Sequence, residues 1–92
     1  DKWNTRSGYA KPALTFNEYM TWSVFLLYAR ETYDADTYAF AEESTVNTMN
    51  YRGFIHFEDF YMKLAQRYDE QEDGRIELLY PDILSWAKGY RP

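Results

Sequence analysis

The sequence contains no cysteine. A disulfide-stabilised scaffold, a zinc site built on thiolates and a cysteine nucleophile are therefore excluded. Large aliphatic side chains are also scarce, because Val, Ile and Leu together number twelve whereas Tyr, Phe and Trp number nineteen. We therefore expect an aromatic core in which each buried tyrosine hydroxyl needs a hydrogen-bond partner.

Basic residues are outnumbered, with ten Lys and Arg against fifteen Asp and Glu and a formal net charge of −5. An acidic chain without a basic stripe lacks the electrostatic footprint of a nucleic-acid-binding protein. No stretch of eighteen consecutive apolar residues occurs, so the sequence predicts no transmembrane segment. The length of 92 residues suits one domain with a thin core.

Helical periodicity dominates the chain and predicts an all-α fold, a compact array of about four helices around a central one. The central helix is expected at about residues 15–33, because Thr15 and Glu18 have the spacing of a capping box and no Gly or Pro follows for four turns. Residues 1–14 show no period and are expected to be irregular. The apolar side of the central helix consists of Phe16, Tyr19, Met20, Phe25, Leu26, Leu27 and Ala29.

The second helix is expected at about residues 37–50, after polar turn residues that provide its N-cap. Residues 44–48 are poor helix formers, so we expect this helix to fray towards its end. Gly53 is a natural stop signal.

The third helix is expected at about residues 55–68, where apolar residues recur at i, i+3, i+4 and i+7. An acidic loop at residues 69–74 and a short apolar segment at residues 76–80 follow. Pro81 suits the first turn of a last helix, and Gly89 suits its end.

The sequence contains a single histidine. His56 alone cannot form a Ser-His-Asp triad or a multi-histidine metal site, and its place at a helix start favours packing or capping. The adjacent acidic residues Glu42-Glu43 and Glu58-Asp59 are of the residue types that form catalytic acid–base pairs, but their spacing does not suit that role. Adjacent helix positions point about 100° apart, so a solvated helix face is the favoured interpretation.

The acidic loop at residues 69–74 matches the first half of an EF-hand calcium loop if Gly74 takes the sixth position. The twelfth position is then Tyr80, which cannot supply the bidentate carboxylate that calcium requires. A solvated turn is therefore favoured over calcium binding. The first, third and fifth ligand positions fall on Asp69, Gln71 and Asp73.

The string FNEYMTW at residues 16–22 resembles the helix that supplies the third zinc ligand in the gluzincin metallopeptidases. In that family an Asn-Glu pair opens a helix downstream of a HExxH helix, and the Glu completes a His-His-Glu site that leaves a position for the attacking water. A looser likeness to the C-terminal helical part of bacterial metallopeptidase-like proteins includes residues 52–54, residues 79–81 and Trp86.

The resemblance implies that Glu18 is a zinc ligand, and it implies this of no other residue. The chain contains no HExxH, so two zinc ligands and the general base are absent. Trp22 stands where several gluzincins have a polar residue four positions after the Glu. The residues themselves offer a second interpretation, in which Glu18 serves only the capping box with Thr15.

Two functions from different classes follow. The first is a helical C-terminal part of a zinc-dependent peptidase, which binds zinc in the intact parent protein and is neither metal-loaded nor active as an isolated chain. The alternative is a non-enzymatic acidic module that binds a protein through exposed Tyr and Trp, since nineteen aromatics are many for so small a core. A third interpretation is a degenerate EF-hand-like calcium binder.

We expect residues 1–92 to form a single helical domain or subdomain, a fragment of a larger protein. Its partner would be the missing N-terminal part of the same protein or another protein. The composition does not fix a compartment, whereas the metallopeptidase resemblance implies an extracytoplasmic bacterial one.

Overall fold

The computed structural model describes Trp3 and residues 12–72 and 74–91. Within these residues the chain forms four α-helices and one 3-10 turn and contains no strand, so the predicted all-α fold is confirmed. The elements are α1 (Pro12–Thr32), α2 (Ala35–Tyr51), α3 (Phe57–Asp69), the 3-10 turn (Ile76–Leu78) and α4 (Tyr80–Gly89).

Helix α1 begins one turn earlier than the sequence predicts. Its first residue is Pro12, which suits a first turn because the missing N–H has no partner there in any helix. Thr15 therefore lies inside the helix, where it is buried. The predicted capping box of Thr15 and Glu18 is wrong, and so is the irregular structure predicted for residues 12–14. The rest of the predicted irregular segment, apart from Trp3, lies outside the described residues.

Helix α1 holds the central place that the sequence predicts, because the most extensive helix–helix interfaces of the fold are those of α1 with α2 and with α3. Phe25 was expected in the core but is 37% exposed, and its ring packs on Trp22 at a centroid distance of 5.8 Å. Ser23 takes a core position instead and is fully buried, and its hydroxyl has no hydrogen-bond partner among the described residues. The other predicted core residues are buried, namely Phe16, Tyr19, Met20, Leu26, Leu27 and Ala29.

Helix α2 begins after Asp34, whose carboxylate accepts a hydrogen bond from the N–H of Thr37 at 2.8 Å. This bond lowers the pKa of Asp34, since it stabilises the charged form. The predicted fraying of α2 is wrong, because the helix continues to Tyr51. Met49 is buried and Val46 packs against the core, so tertiary packing outweighs the low helix propensity of this segment.

The end of α2 is a Schellman motif. Gly53 has a φ of 94°, in the left-handed region that favours glycine, which confirms the predicted stop signal. The N–H of Gly53 donates to the carbonyl of Asn50 at 3.0 Å, and the N–H of Phe54 donates to the carbonyl of Met49 at 2.8 Å. Phe54 and Met49 are both buried in the same core cluster, and a hydrophobic contact between these two positions frequently accompanies this motif.

Helices α3 and α4 complete the core. Helix α3 buries Phe57, Phe60, Tyr61 and Leu64, as its apolar spacing predicts, whereas Tyr68 of the same pattern is half-buried against the core. Helix α4 has Pro81 in its first turn and ends at Gly89, as predicted. The radius of gyration of 13.1 Å is close to the ~12 Å expected for a compact chain of this length. In residues 12–72 and 74–91, none of the helices combines the length and hydropathy that crossing a bilayer requires.

The centre of the core is Tyr19, which is 1% exposed. Its ring meets those of Trp3, Phe54 and Phe60 at centroid distances of 5.1, 5.4 and 5.2 Å. Its hydroxyl donates a hydrogen bond to the carbonyl of Trp3 and accepts a long one, 3.4 Å, from the N–H of His56. The expectation of an aromatic core with satisfied tyrosine hydroxyls holds at this residue.

Alkaline pH should destabilise the fold. Burial is the main reason that the pKa of Tyr19, Tyr38 and Tyr61 is raised. In the unfolded chain these phenols ionise near pH 10, whereas in the folded chain they stay protonated, so stability is complete below about pH 10 and falls above it. We predict a lower urea midpoint at about pH 11 than at about pH 9, measured by circular dichroism.

Tyr38→Phe should reduce this pH dependence, because it removes one of the phenols whose pKa is raised in the folded chain. Tyr28→Phe, at a position that is 59% exposed, is the matched control and should leave the pH dependence as in the parent chain. A urea midpoint that does not change with pH would contradict the prediction.

Candidate functional site

Glu18 lies in the second turn of α1, and its side chain is 26% exposed. Its Oε1 accepts a hydrogen bond from Nη2 of Arg52 at 2.9 Å, across 34 positions of sequence. This ion pair ties α1 to the turn that follows α2. The observed partner of the Glu18 carboxylate is thus a side chain of another element, which replaces the capping role that the sequence suggested.

Arg52 is held in place by two further contacts. Its guanidinium lies over the ring of Phe54, 5.1 Å from the centroid, and its Nη1 is 3.8 Å from the sulfur of Met49. A planar guanidinium that is already stacked on a ring loses little freedom when it binds a carboxylate. Arg52 therefore orients Glu18. The sequence suggested no such role, because no spacing rule connects residues so far apart.

His56 packs among aromatic rings, which confirms the packing interpretation. Its ring meets Trp3 at 5.7 Å and Tyr90 at 5.3 Å, and it makes no side-chain capping bond at the start of α3. Among the described residues, no three His, Asp or Glu side chains lie close enough together to hold a metal ion. That Glu18 binds zinc stays a prediction, and it requires further ligands from outside these residues.

The acidic loop after α3 is anchored by a residue of α1. Asp69 binds Arg30 through both carboxylate oxygens, with Oδ1–Nη2 and Oδ2–Nη1 distances of 2.6 and 3.1 Å. This bidentate pair engages the carboxylate that an EF-hand alignment would place first. Tyr80 begins α4, and Asp73 lies outside the described residues. These contacts give the calcium hypothesis no support.

The two acidic pairs are also explained by local contacts. Glu42 accepts a hydrogen bond from the hydroxyl of Tyr38 at 2.7 Å, and Asp59 accepts one from the hydroxyl of Tyr90. Burial and this bond to Asp59 raise the pKa of Tyr90 to about 12. The neighbouring carboxylate of each pair is exposed. The described contacts therefore suggest no acid–base site at either pair.

The outer side of α2 carries two strongly exposed aromatic residues, Phe40 at 74% and Tyr51 at 75%. They lie at positions i and i+11 of one helical stripe, with the exposed Ser44 and Asn47 between them. We call these four residues the α2 aromatic face. The exposed Asp36 and Glu43 lie four positions before and three positions after Phe40, so the surface of α2 around Phe40 is acidic.

No protein-family model matches the chain, and comparisons with curated proteins and with solved structures find no significant match. A function for this chain is therefore inferred from the geometry of the described residues and from the resemblance of residues 16–22.

The Glu18–Arg52 pair should contribute measurably to folding. We predict a coupling energy of about 0.5–1 kcal/mol from a double-mutant cycle of Glu18→Gln and Arg52→Met, because both side chains are only partly exposed. Urea unfolding of the four chains measures it. The exposed pair Arg75 and Glu77 is the control, and its coupling should be close to zero. Equal couplings for the two pairs would contradict the prediction.

Proposed function

We propose that this chain is the helical portion of a zinc-dependent peptidase and supplies Glu18 as one zinc ligand. The chain is not catalytically complete, because the other two ligands and the general base must come from a HExxH segment elsewhere in the same protein. The observation that carries the proposal is the orientation of the Glu18 carboxylate by Arg52 at 2.9 Å.

Carboxylates that bind metals are themselves held by hydrogen bonds, which fix their direction and reduce the entropy that binding costs. Glu18 meets this requirement, because Arg52 donates to Oε1 and is in turn stacked on Phe54. The backbone of Glu18 is rigid as well, since the next residue, Tyr19, is buried at the centre of the core. The side chain nevertheless keeps 26% of its surface exposed, so a group from another part of the protein can reach it.

Glu18 fits the donor chemistry of a catalytic zinc site as one oxygen ligand out of three protein ligands. Zinc in such a site would polarise the substrate carbonyl and lower the pKa of a bound water. The contribution of this chain is positional: α1 presents the carboxylate, and Arg52 holds its direction.

The test uses the longer polypeptide encoded when the reading frame is extended upstream of Asp1. We expect that extension to contain a HExxH segment and the purified protein to bind one zinc per chain. Glu18→Gln should weaken zinc binding at least about 10-fold, because it replaces a charged ligand by a neutral amide. Metal content by mass spectrometry and competition with a chelator measure this loss, and peptidase activity should fall with it.

Glu43→Gln is the matched control, since Glu43 is an exposed carboxylate on α2. It should leave zinc content and activity at the parent values. If the upstream sequence lacks a HExxH, or if Glu18→Gln retains zinc as tightly as the parent, the peptidase proposal is wrong and the ion pair with Arg52 is a structural contact.

A second candidate is a protein-interaction module, and the α2 aromatic face favours it. Aromatic residues are enriched at interfaces, where they dominate the binding energy. The acidic residues around Phe40 favour a basic partner segment that carries apolar anchors. We therefore propose such a segment as the occupant of this face.

A synthetic peptide of alternating Lys and Leu residues tests this candidate, and its Glu and Leu counterpart is the charge control. We expect the basic peptide to bind more tightly, and Phe40→Ser with Tyr51→Ser to weaken it at least about 10-fold, about 1.4 kcal/mol. Met62→Ser is the matched control on α3, at a residue that is 63% exposed. Unchanged affinity in the double variant, measured by fluorescence anisotropy, would exclude the α2 aromatic face as the binding surface.

A further inference from the structure

An apolar cavity of about 310 Å³ lies between Trp3, the first two turns of α1, α3 and α4. Its walls are mainly aromatic and aliphatic, and it contains neither Glu18 nor any residue of the α2 aromatic face. It is thus independent of both sites described above. Phe16, Tyr19, Phe60 and Leu84 supply most of its apolar walls, together with Trp3.

The size of the cavity is that of a ligand site. Small-molecule pockets in proteins begin at about 300 Å³, and an apolar cavity of ~150 Å³ already binds benzene. The lining of this cavity favours an apolar or aromatic body over water.

Two polar groups stand at the rim of the cavity. Lys88 lies exposed in the last turn of α4, and within the described part of the chain its ammonium has no hydrogen-bond or ion-pair partner. Tyr80 begins α4, is 42% exposed and places its ring 5.2 Å from that of Phe16. An ammonium and a phenol at the mouth of an apolar space together favour an anion attached to an apolar body.

We propose that this cavity binds a small amphipathic carboxylate. Its phenyl or alkyl body lies against Phe16, Leu84 and the neighbouring rings. Its carboxylate pairs with the ammonium of Lys88 and accepts a hydrogen bond from the hydroxyl of Tyr80.

The test compares 3-phenylpropionate with 3-phenylpropanol, which has a similar body but no charge. Titrations followed by amide NMR shifts should place both ligands at the cavity residues and give the carboxylate at least a 10-fold lower Kd. Lys88→Met should remove this difference and leave the alcohol unaffected. Lys63→Met, at a half-buried lysine of α3 that does not line the cavity, is the control and should preserve the difference.

A second arm fills the cavity. Ala87→Leu and Leu84→Phe each add volume at its wall, and circular dichroism selects the variants that keep the helical fold. These variants should weaken both ligands at least 10-fold. Equal Kd values for acid and alcohol in the parent chain, a loss of the difference in Lys63→Met, or shifts that lie away from the cavity would overturn the proposal.

Discussion

The hydroxyl of Tyr19 must find hydrogen-bond partners inside an aromatic core. Its partners come from the N-terminal part of the chain and from the start of α3, so these two segments are held against α1. The hydroxyl donates to the carbonyl of Trp3 and accepts from the N–H of His56, so one side chain of α1 joins the N-terminal part of the chain to the start of α3. Its ring contacts Phe54 and Phe60. Because few aliphatic residues are available, these aromatic contacts fill the core in place of the branched side chains of other small helical proteins.

The turn after α2 has a similar effect on the surface. The left-handed conformation of Gly53 reverses the chain within two residues, which buries Phe54 and leaves Arg52 beside it. Arg52 can then lie on the ring of Phe54 and reach the carboxylate of Glu18. The orientation of Glu18 is therefore a product of local backbone geometry at a distant position. A residue other than glycine at position 53 would disturb α1 and α2 together.

The sequence predicted the features that depend on local rules, and it missed those that depend on tertiary contacts. The number of helices and the stop at Gly53 follow from periodicity and capping. The sequence missed the early start of α1 because a proline is compatible both with an irregular segment before a helix and with the first turn of the helix itself. The continuity of α2 depends on the burial of Met49, and the Glu18–Arg52 pair spans 34 positions, so neither could be read from neighbouring residues.

The contact between Trp3 and Tyr90 brings together two residues from opposite ends of the sequence, with ring centroids 4.8 Å apart. Polypeptide that enters the fold at Trp3 and polypeptide that leaves it after Tyr90 therefore pass through the same corner of the molecule. A fold whose ends lie close together tolerates insertion into a surface loop of a host protein. It also tolerates circular permutation, in which the two ends are joined and the chain is cut at another loop. The contact between the rings of Trp3 and Tyr90 thus holds the two ends of the four-helix fold close together.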